Sequence, residues 1–200
     1  MVELMKSLFR PALGLFIILS VITGVLYPLM VTGIAQTIFP NQANGSFIEY
    51  KGQKVGSALI GQSFTKLGYF WERPSATSER GYNAMASSGA SIAPSNPELL
   101  KSAQHYAMIL RNADPDHNAY IPIDLVTHSS SGLDPDISIA AALYQVPRIA
   151  KARGLTKDAV KAVIDQHSRH RVLTIFGEPV VNVLQLNLAL DTLMLAKDNN

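Results

Sequence analysis

The chain has 200 residues, 48% of them hydrophobic, with 17 basic and 15 acidic side chains for a net charge of +2 and no cysteine. So slight a charge excludes the electrostatic footprint of a nucleic-acid binder. The absence of cysteine excludes disulfide frameworks, thiol catalysis and Cys-ligated metal.

Lys6 and Arg10 precede a stretch without a single charged side chain, from Pro11 to Ile48, whose first part up to Phe39 is dominated by Leu, Ile, Val, Phe and Ala. As a helix that part spans roughly 40 Å, enough for a hydrocarbon core of about 30 Å. The positive-inside bias predicts a cytoplasmic N-terminus over residues 1–10, a transmembrane helix over 11–39, a polar linker over 40–46 and an extracytoplasmic domain over 47–200. Gly33-Ile34-Ala35 offers a small-x-small triplet, but the apolar run is about twice a secretory h-region, which argues for a retained anchor. Within it Ser20, Gly24 and Pro28 recur every fourth position and are the candidate interface to another membrane helix.

Beyond the linker, Phe47–Tyr50 and Ser57–Phe64 read as strands around a Lys51-Gly52 turn, extended by Tyr69-Phe70-Trp71. Arg73 to Asn96, rich in Pro, Gly and Ser, reads as a long loop. Asn96 caps a helix to about Arg111, and Tyr120–Val126, interrupted by Pro122, reads as an edge strand or extended segment. Asp134-Pro135-Asp136 predicts the start of a helix that carries Pro147 and ends at Gly154, and Thr156 caps a further helix to His167. Val180 to Leu195 predicts a last helix with Asn182 as its cap. The result is an α+β chain: one N-terminal transmembrane helix and a single, mostly helical outer domain with a few short strands.

No chemistry stands out. His167 and His170 are flanked by arginines that repel a cation, so no metal is expected. There is no nucleophile elbow, phosphate loop or dinucleotide fingerprint, so no catalytic residue is assigned. Asp134 and Asp136 are explained as caps. Gln145 and Arg148, one turn apart, could hold an anion or a partner loop; alternatively the amide satisfies carbonyls freed by Pro147.

Five stretches carry a resemblance: Gly56-Ser57-Ala58-Leu59-Ile60-Gly61-Gln62-Ser63-Phe64; Tyr69-Phe70-Trp71-Glu72-Arg73-Pro74-Ser75; Asp124-Leu125-Val126-Thr127 with Ser129 to Pro135; Gln145-Val146-Pro147-Arg148; and Val181-Asn182-Val183-Leu184-Gln185-Leu186-Asn187. In this order they resemble the C subunits of bacterial Kdp potassium-transporting P-type ATPases, over essentially the whole chain. The resemblance implies a non-catalytic accessory subunit of an inner-membrane complex. Its partners would be a channel-like potassium-selective subunit, an ATP-hydrolysing P-type subunit and a small single-span subunit. It implies a catalytic chaperone that raises ATP affinity, with Gln145 at the position linked to the nucleotide. The positive-inside topology puts Gln145 on the side away from cytoplasmic ATP, so no tightly bound cofactor is expected: either the effect on ATP passes through the complex, the favoured route, or direct nucleotide contact belongs to detached subunits. The alternative is a periplasmic gate or filter over the potassium entrance, with Asp134 and Asp136 steering cations.

Overall fold

The computed structural model describes residues 2–77, 81–171, 173 and 175–198, without the side chains of 2–6 and 196–198. Of the loop expected over Arg73–Asn96, Ser78–Arg80 lie outside the described residues. The chain divides into two units, Met1–Phe47 and Ile48–Asn200.

The first unit is a continuous rod of α1 (Val2–Val21), a π-helical turn (Ile22–Leu26) and α2 (Tyr27–Ile38). Its segment Ser7–Ile38 is 32 residues long, with a mean hydropathy of 2.3 in its most apolar window, and none of that window is buried within the protein. It is long and apolar enough to cross a bilayer. Pro28 has no N–H to give the Gly24 carbonyl one turn back, and the Tyr27 N–H reaches the Ile22 carbonyl, five residues back. The π turn is thus the proline's local consequence. The hydroxyls of Thr23 and Thr37 turn back onto the Leu19 carbonyl at 2.8 Å and the Ile34 carbonyl at 2.9 Å, so neither is left bare in an apolar setting. A short helix, α3 (Pro40–Ala43), opens the connection to the second unit.

The second unit begins with a hairpin, β1 (Phe47–Tyr50) and β2 (Gln53–Ser57). Lys51 and Gly52 both have positive φ, 52° and 77°, as a two-residue hairpin turn demands. The second strand therefore ends where Ser57–Phe64 was expected to begin, and residues 58–96 carry no regular element among those described. Helix α4 (Pro97–Ala113) is capped by Asn96, whose Oδ1 accepts from the Glu98 N–H at 3.0 Å. In place of an edge strand, Ile123–Leu125 is a 3-10 turn; it buries Leu125 and aims the Asp124 carboxylate at the Ser138 N–H, 2.8 Å away.

Strand β3 (Asp136–Ser138) stands where a helix was expected to start. Asp134 does accept from the Asp136 N–H at 3.1 Å, but as a local turn. Pairing of Ile137 with Val181 then keeps the backbone extended until Ser138 caps α5 (Ile139–Arg153), accepting from the Ala141 N–H at 3.0 Å. Gly154, at φ 61°, ends α5, and Thr156 caps α6 (Lys157–His167). After β4 (Ser168–Arg169) and β5 (Val180–Asn182), Asn182 caps the first turn of α7 (Val183–Asp198) through the Gln185 N–H at 3.1 Å. The expected last helix is thus a strand that becomes a helix at its cap.

The three strands form an antiparallel sheet in the order β3-β5-β4. Ile137 and Val181 point from its inner face into a core shared with Ile149 of α5, Val160 and Ile164 of α6, and Leu186 and Leu190 of α7. Each such side chain contributes about 1.5–3 kcal/mol on burial.

Candidate functional site

Three of the polar side chains buried in this domain, Gln145, Arg148 and Asn187, converge on one stretch of backbone. Leu67 to Trp71 lies against α5 and α7 with Phe70 fully buried, opens on a turn closed by the Tyr69 N–H on the Lys66 carbonyl, and belongs to no sheet. Most of its other backbone groups are satisfied by side chains instead. Asn187 brackets Phe70: its Oδ1 accepts from the Phe70 N–H at 2.8 Å and its Nδ2 donates to the Phe70 carbonyl at 3.0 Å. Gln145 does the same for Trp71, accepting from its N–H at 2.7 Å and donating to its carbonyl at 3.0 Å. Two carboxamides, one from each helix, thus replace a neighbouring strand. The expected extension of the first sheet by Tyr69-Phe70-Trp71 does not form: Phe70 and Trp71 give their backbone groups to side chains of α7 and α5 in place of a strand.

Arg148 and Arg153 complete the grip. The Arg148 guanidinium donates to the carbonyls of Leu67 and Tyr69 and to Gln145 Oε1, and lies 4.1 Å from the centre of the Trp71 ring. Burial pulls its pKa down to about 10, which keeps it charged at any physiological pH. Arg153 donates to the Gly68 carbonyl, covers the Tyr69 ring and is held by Asp191 at 2.8 Å, and Tyr69 also donates to Asp191. Gln145 is 1% exposed and Asn187 likewise. The Gln145 amide spends Oε1 on Trp71 and Arg148 and Nε2 on Trp71 and Ala141. Neither open alternative for Gln145 is met as stated: the loop it holds belongs to its own chain, and the α5 carbonyl it serves is that of Ala141, whereas Pro147 withholds its bond from Leu143.

Just past the clamped segment lies a buried acid that the sequence did not flag. Glu72 Oε2 accepts from the Gln62 N–H at 2.8 Å, whereas Oε1 is buried without a partner. The Tyr82 hydroxyl beside it is committed to the Arg73 carbonyl. Burial pushes the Glu72 carboxyl up to about 8, with the charges of Asp134 and Asp136 adding to the rise and the Gln62 N–H and Tyr82 opposing it. Burial likewise raises Tyr82. Gly61 is required here, because a Cβ would sit 2.3 Å from Glu72 Oε2 and 2.5 Å from the Tyr82 ring. Glu72 and Tyr82 line a cavity of about 390 Å³ whose apolar walls include Trp71, Tyr106 and Leu125. The only hint in the sequence was a glutamate directly after the aromatic run Tyr69-Phe70-Trp71.

Asp134 and Asp136 are close in sequence and both engaged: Asp134 pairs with Arg73 at 3.1 Å and Asp136 with Arg169 across the sheet. Among the described residues no three His, Asp or Glu side chains come together as a metal would need. In the first unit, Ser20 lies in α1, Gly24 in the π turn and Pro28 in α2. A π turn takes more residues per revolution than the 3.6 of an α-helix, so a spacing of four drifts less around the axis there. A Cβ on Gly24 would meet nothing within 4 Å.

Comparison with known proteins bears on the whole chain. The KdpC family, described as K+-transporting ATPase, c chain, matches residues 9–192. A protein of Herpetosiphon aurantiacus named potassium-transporting ATPase KdpC subunit is 56% identical over 94% of this chain and 97% of its own length. Its namesakes from Ralstonia nicotianae and Dechloromonas aromatica are 55% and 54% identical, each over 94% of this chain and over 92% and 98% of their own lengths.

Proposed function

Because the chain belongs to the KdpC family and is therefore an accessory subunit of a potassium-importing ATPase complex, we propose that it holds that complex together and raises the ATP affinity of the hydrolysing subunit without touching nucleotide. The observation that carries the reading is the apolar helix Ser7–Ile38, none of whose most apolar window the protein itself buries. Such a surface is covered by lipid and by other helices. Ser20, Gly24 and Pro28 form the close-approach stripe against a membrane helix of the channel-like subunit; the ATP-hydrolysing and small single-span subunits complete the assembly. With Lys6 and Arg10 before the span, the N-terminus is cytoplasmic and the second unit lies outside the inner membrane.

The indirect route to ATP is supported by the state of Gln145. Each polar atom of its amide already serves the fold, so contact with a nucleotide would require the clamp to open. The effect on ATP is then a coupling free energy carried by subunit contacts.

Purification of the tagged chain in mild detergent, with assay of potassium-stimulated ATP hydrolysis, tests the assembly. Larger membrane subunits are expected to accompany it with that activity, and a solitary chain overturns the reading. Gly24→Leu is expected to reduce their recovery at least tenfold, since it puts a branched side chain on the close-approach stripe. An undiminished yield of active complex would remove the stripe from the interface.

A further inference from the structure

The cavity beside the clamped segment measures about 390 Å³, within the roughly 300–1,000 Å³ of small-molecule pockets, and Phe64, Trp71, Tyr82 and Tyr106 bring four aromatic rings to its lining. Among the described residues, Glu72 and Arg73 are its charged side chains. They are not equally free. Arg73 is paired with Asp134 at 3.1 Å and gives its other terminal nitrogen to the His128 carbonyl, so that its buried Nε alone is left over. Glu72 Oε1, also buried, has no hydrogen-bond partner among the described residues. A buried carboxyl oxygen left bare is unfavourable until a donor reaches it. We infer that the cavity is a binding site for a small organic ammonium compound, whose N–H groups donate to Glu72 Oε1 while its carbon body lies among the four rings.

The electrostatics choose a cation over an anion. The more distant charges that reach Glu72 are those of Asp134 and Asp136, and both hold its proton on, as negative charges do. An ammonium group takes over from that proton and answers the same field. Aromatic rings beside a carboxylate are the setting in which organic cations are recognised. The other titratable groups around the site do not oppose it. Burial raises Tyr82, which stays protonated; burial and Arg73 lower His128, which lies against Tyr106 and is neutral near pH 7; Asp136 is paired with Arg169. Helix α4 contributes Tyr106 and no charged side chain to the lining, and Arg148, against the Trp71 ring, is not part of it. A metal ion is a poor match, because Phe64, Trp71, Leu110 and Leu125 offer it no oxygen.

Trp71 is the one tryptophan of the chain, so its emission reports the cavity directly. The test titrates the full chain in detergent, at constant ionic strength, with 2-phenylethylammonium, its uncharged analogue 2-phenylethanol and the anion 3-phenylpropanoate. Each titration is followed by Trp71 emission and by the thermal midpoint, which a ligand of the folded state raises. The ammonium compound is expected to move both readouts saturably and to bind at least ten times tighter than the alcohol, with no saturable response to the carboxylate. It displaces the proton that Glu72 otherwise keeps up to about pH 8, so its affinity is expected to rise by about tenfold from pH 6.5 to 7.5. Glu72→Gln is expected to lose at least tenfold in ammonium affinity, together with that pH dependence, while keeping its folded transition. Equal affinities for ammonium and alcohol overturn the proposal, as does tighter binding of the carboxylate, which would make Arg73 the ligand group. Silence in both readouts overturns it too, and so does a response that survives Glu72→Gln in full, which is partition into the micelle. None of these outcomes requires the other subunits, so a failure here leaves the subunit reading standing.

Discussion

Gln145→Ala is expected to lower the stability of the outer domain by about 3–5 kcal/mol, the largest loss of any single truncation at the clamp. The change deletes all four bonds of the amide and leaves the Trp71 N–H, the Trp71 carbonyl and part of the Arg148 guanidinium without partners. Each buried polar group so abandoned costs roughly 1–3 kcal/mol. For a domain of this size that corresponds to a fall of about 10 °C or more in the thermal midpoint, read by circular dichroism on the full chain in detergent. Gln145→Glu keeps the acceptor for Trp71 and Arg148 but loses the donor to the Trp71 carbonyl, and is expected to lose about half as much. The measurement separates two roles that activity alone confounds. A Gln145→Ala protein with a normal midpoint and a weakened ATP dependence would falsify the clamp as the reason this residue matters.

The second large effect is one of pH. The Glu72 carboxyl, at about 8 in the folded chain against an ordinary value of 4.5, holds its proton more tightly folded than unfolded. Its contribution to stability is therefore fully present below pH 4.5 and is lost as the pH rises through about 8. At about 1.4 kcal/mol per pH unit the full loss is on the order of 5 kcal/mol, most of it incurred before pH 8. Glu72→Gln can accept from the Gln62 N–H without ever ionising. It is expected to flatten the dependence between pH 5 and 8.5 and to exceed the unaltered chain at the upper end by on the order of 3 kcal/mol. Chemical denaturation of both chains across that range decides the matter; parallel curves would place the pH dependence elsewhere.

What the sequence made legible was local. The caps at Asn96, Thr156 and Asn182 and the stop at Gly154 each depend on a side chain and the backbone of the adjoining turn, and each stands where the residue types placed it. The apolar helix and the α+β class followed from period and length in the same way. At Asp134-Pro135-Asp136 a correct local signal gave the wrong element, because the turn it makes leads into a strand that only β5 can stabilise. Tyr120–Val126 failed for a related reason: the demand to bury Leu125 and to supply a carboxylate to Ser138 comes from the folded domain and not from the heptapeptide. The clamp was beyond reach altogether. Gln145 meets a backbone 74 residues away and Asn187 one 117 residues away, and no periodicity records such pairings. Arg148 was visible one turn from Gln145, yet its carbonyl partners were not. Glu72 was hidden because a single acid after three aromatics gives no spacing to read.

The grip of α7 on the segment around Phe70 also sets a timetable. Asn187 and Asp191 sit in the last helix of the chain, and the stretch they hold is made well over a hundred residues earlier. A folding unit whose essential contacts are so distant in sequence closes slowly, because its longest loop must be tied before any return is gained. The outer domain therefore cannot complete itself before α7 has been made, and the stretch around Phe70 waits, unfinished and pliable, for that helix to arrive.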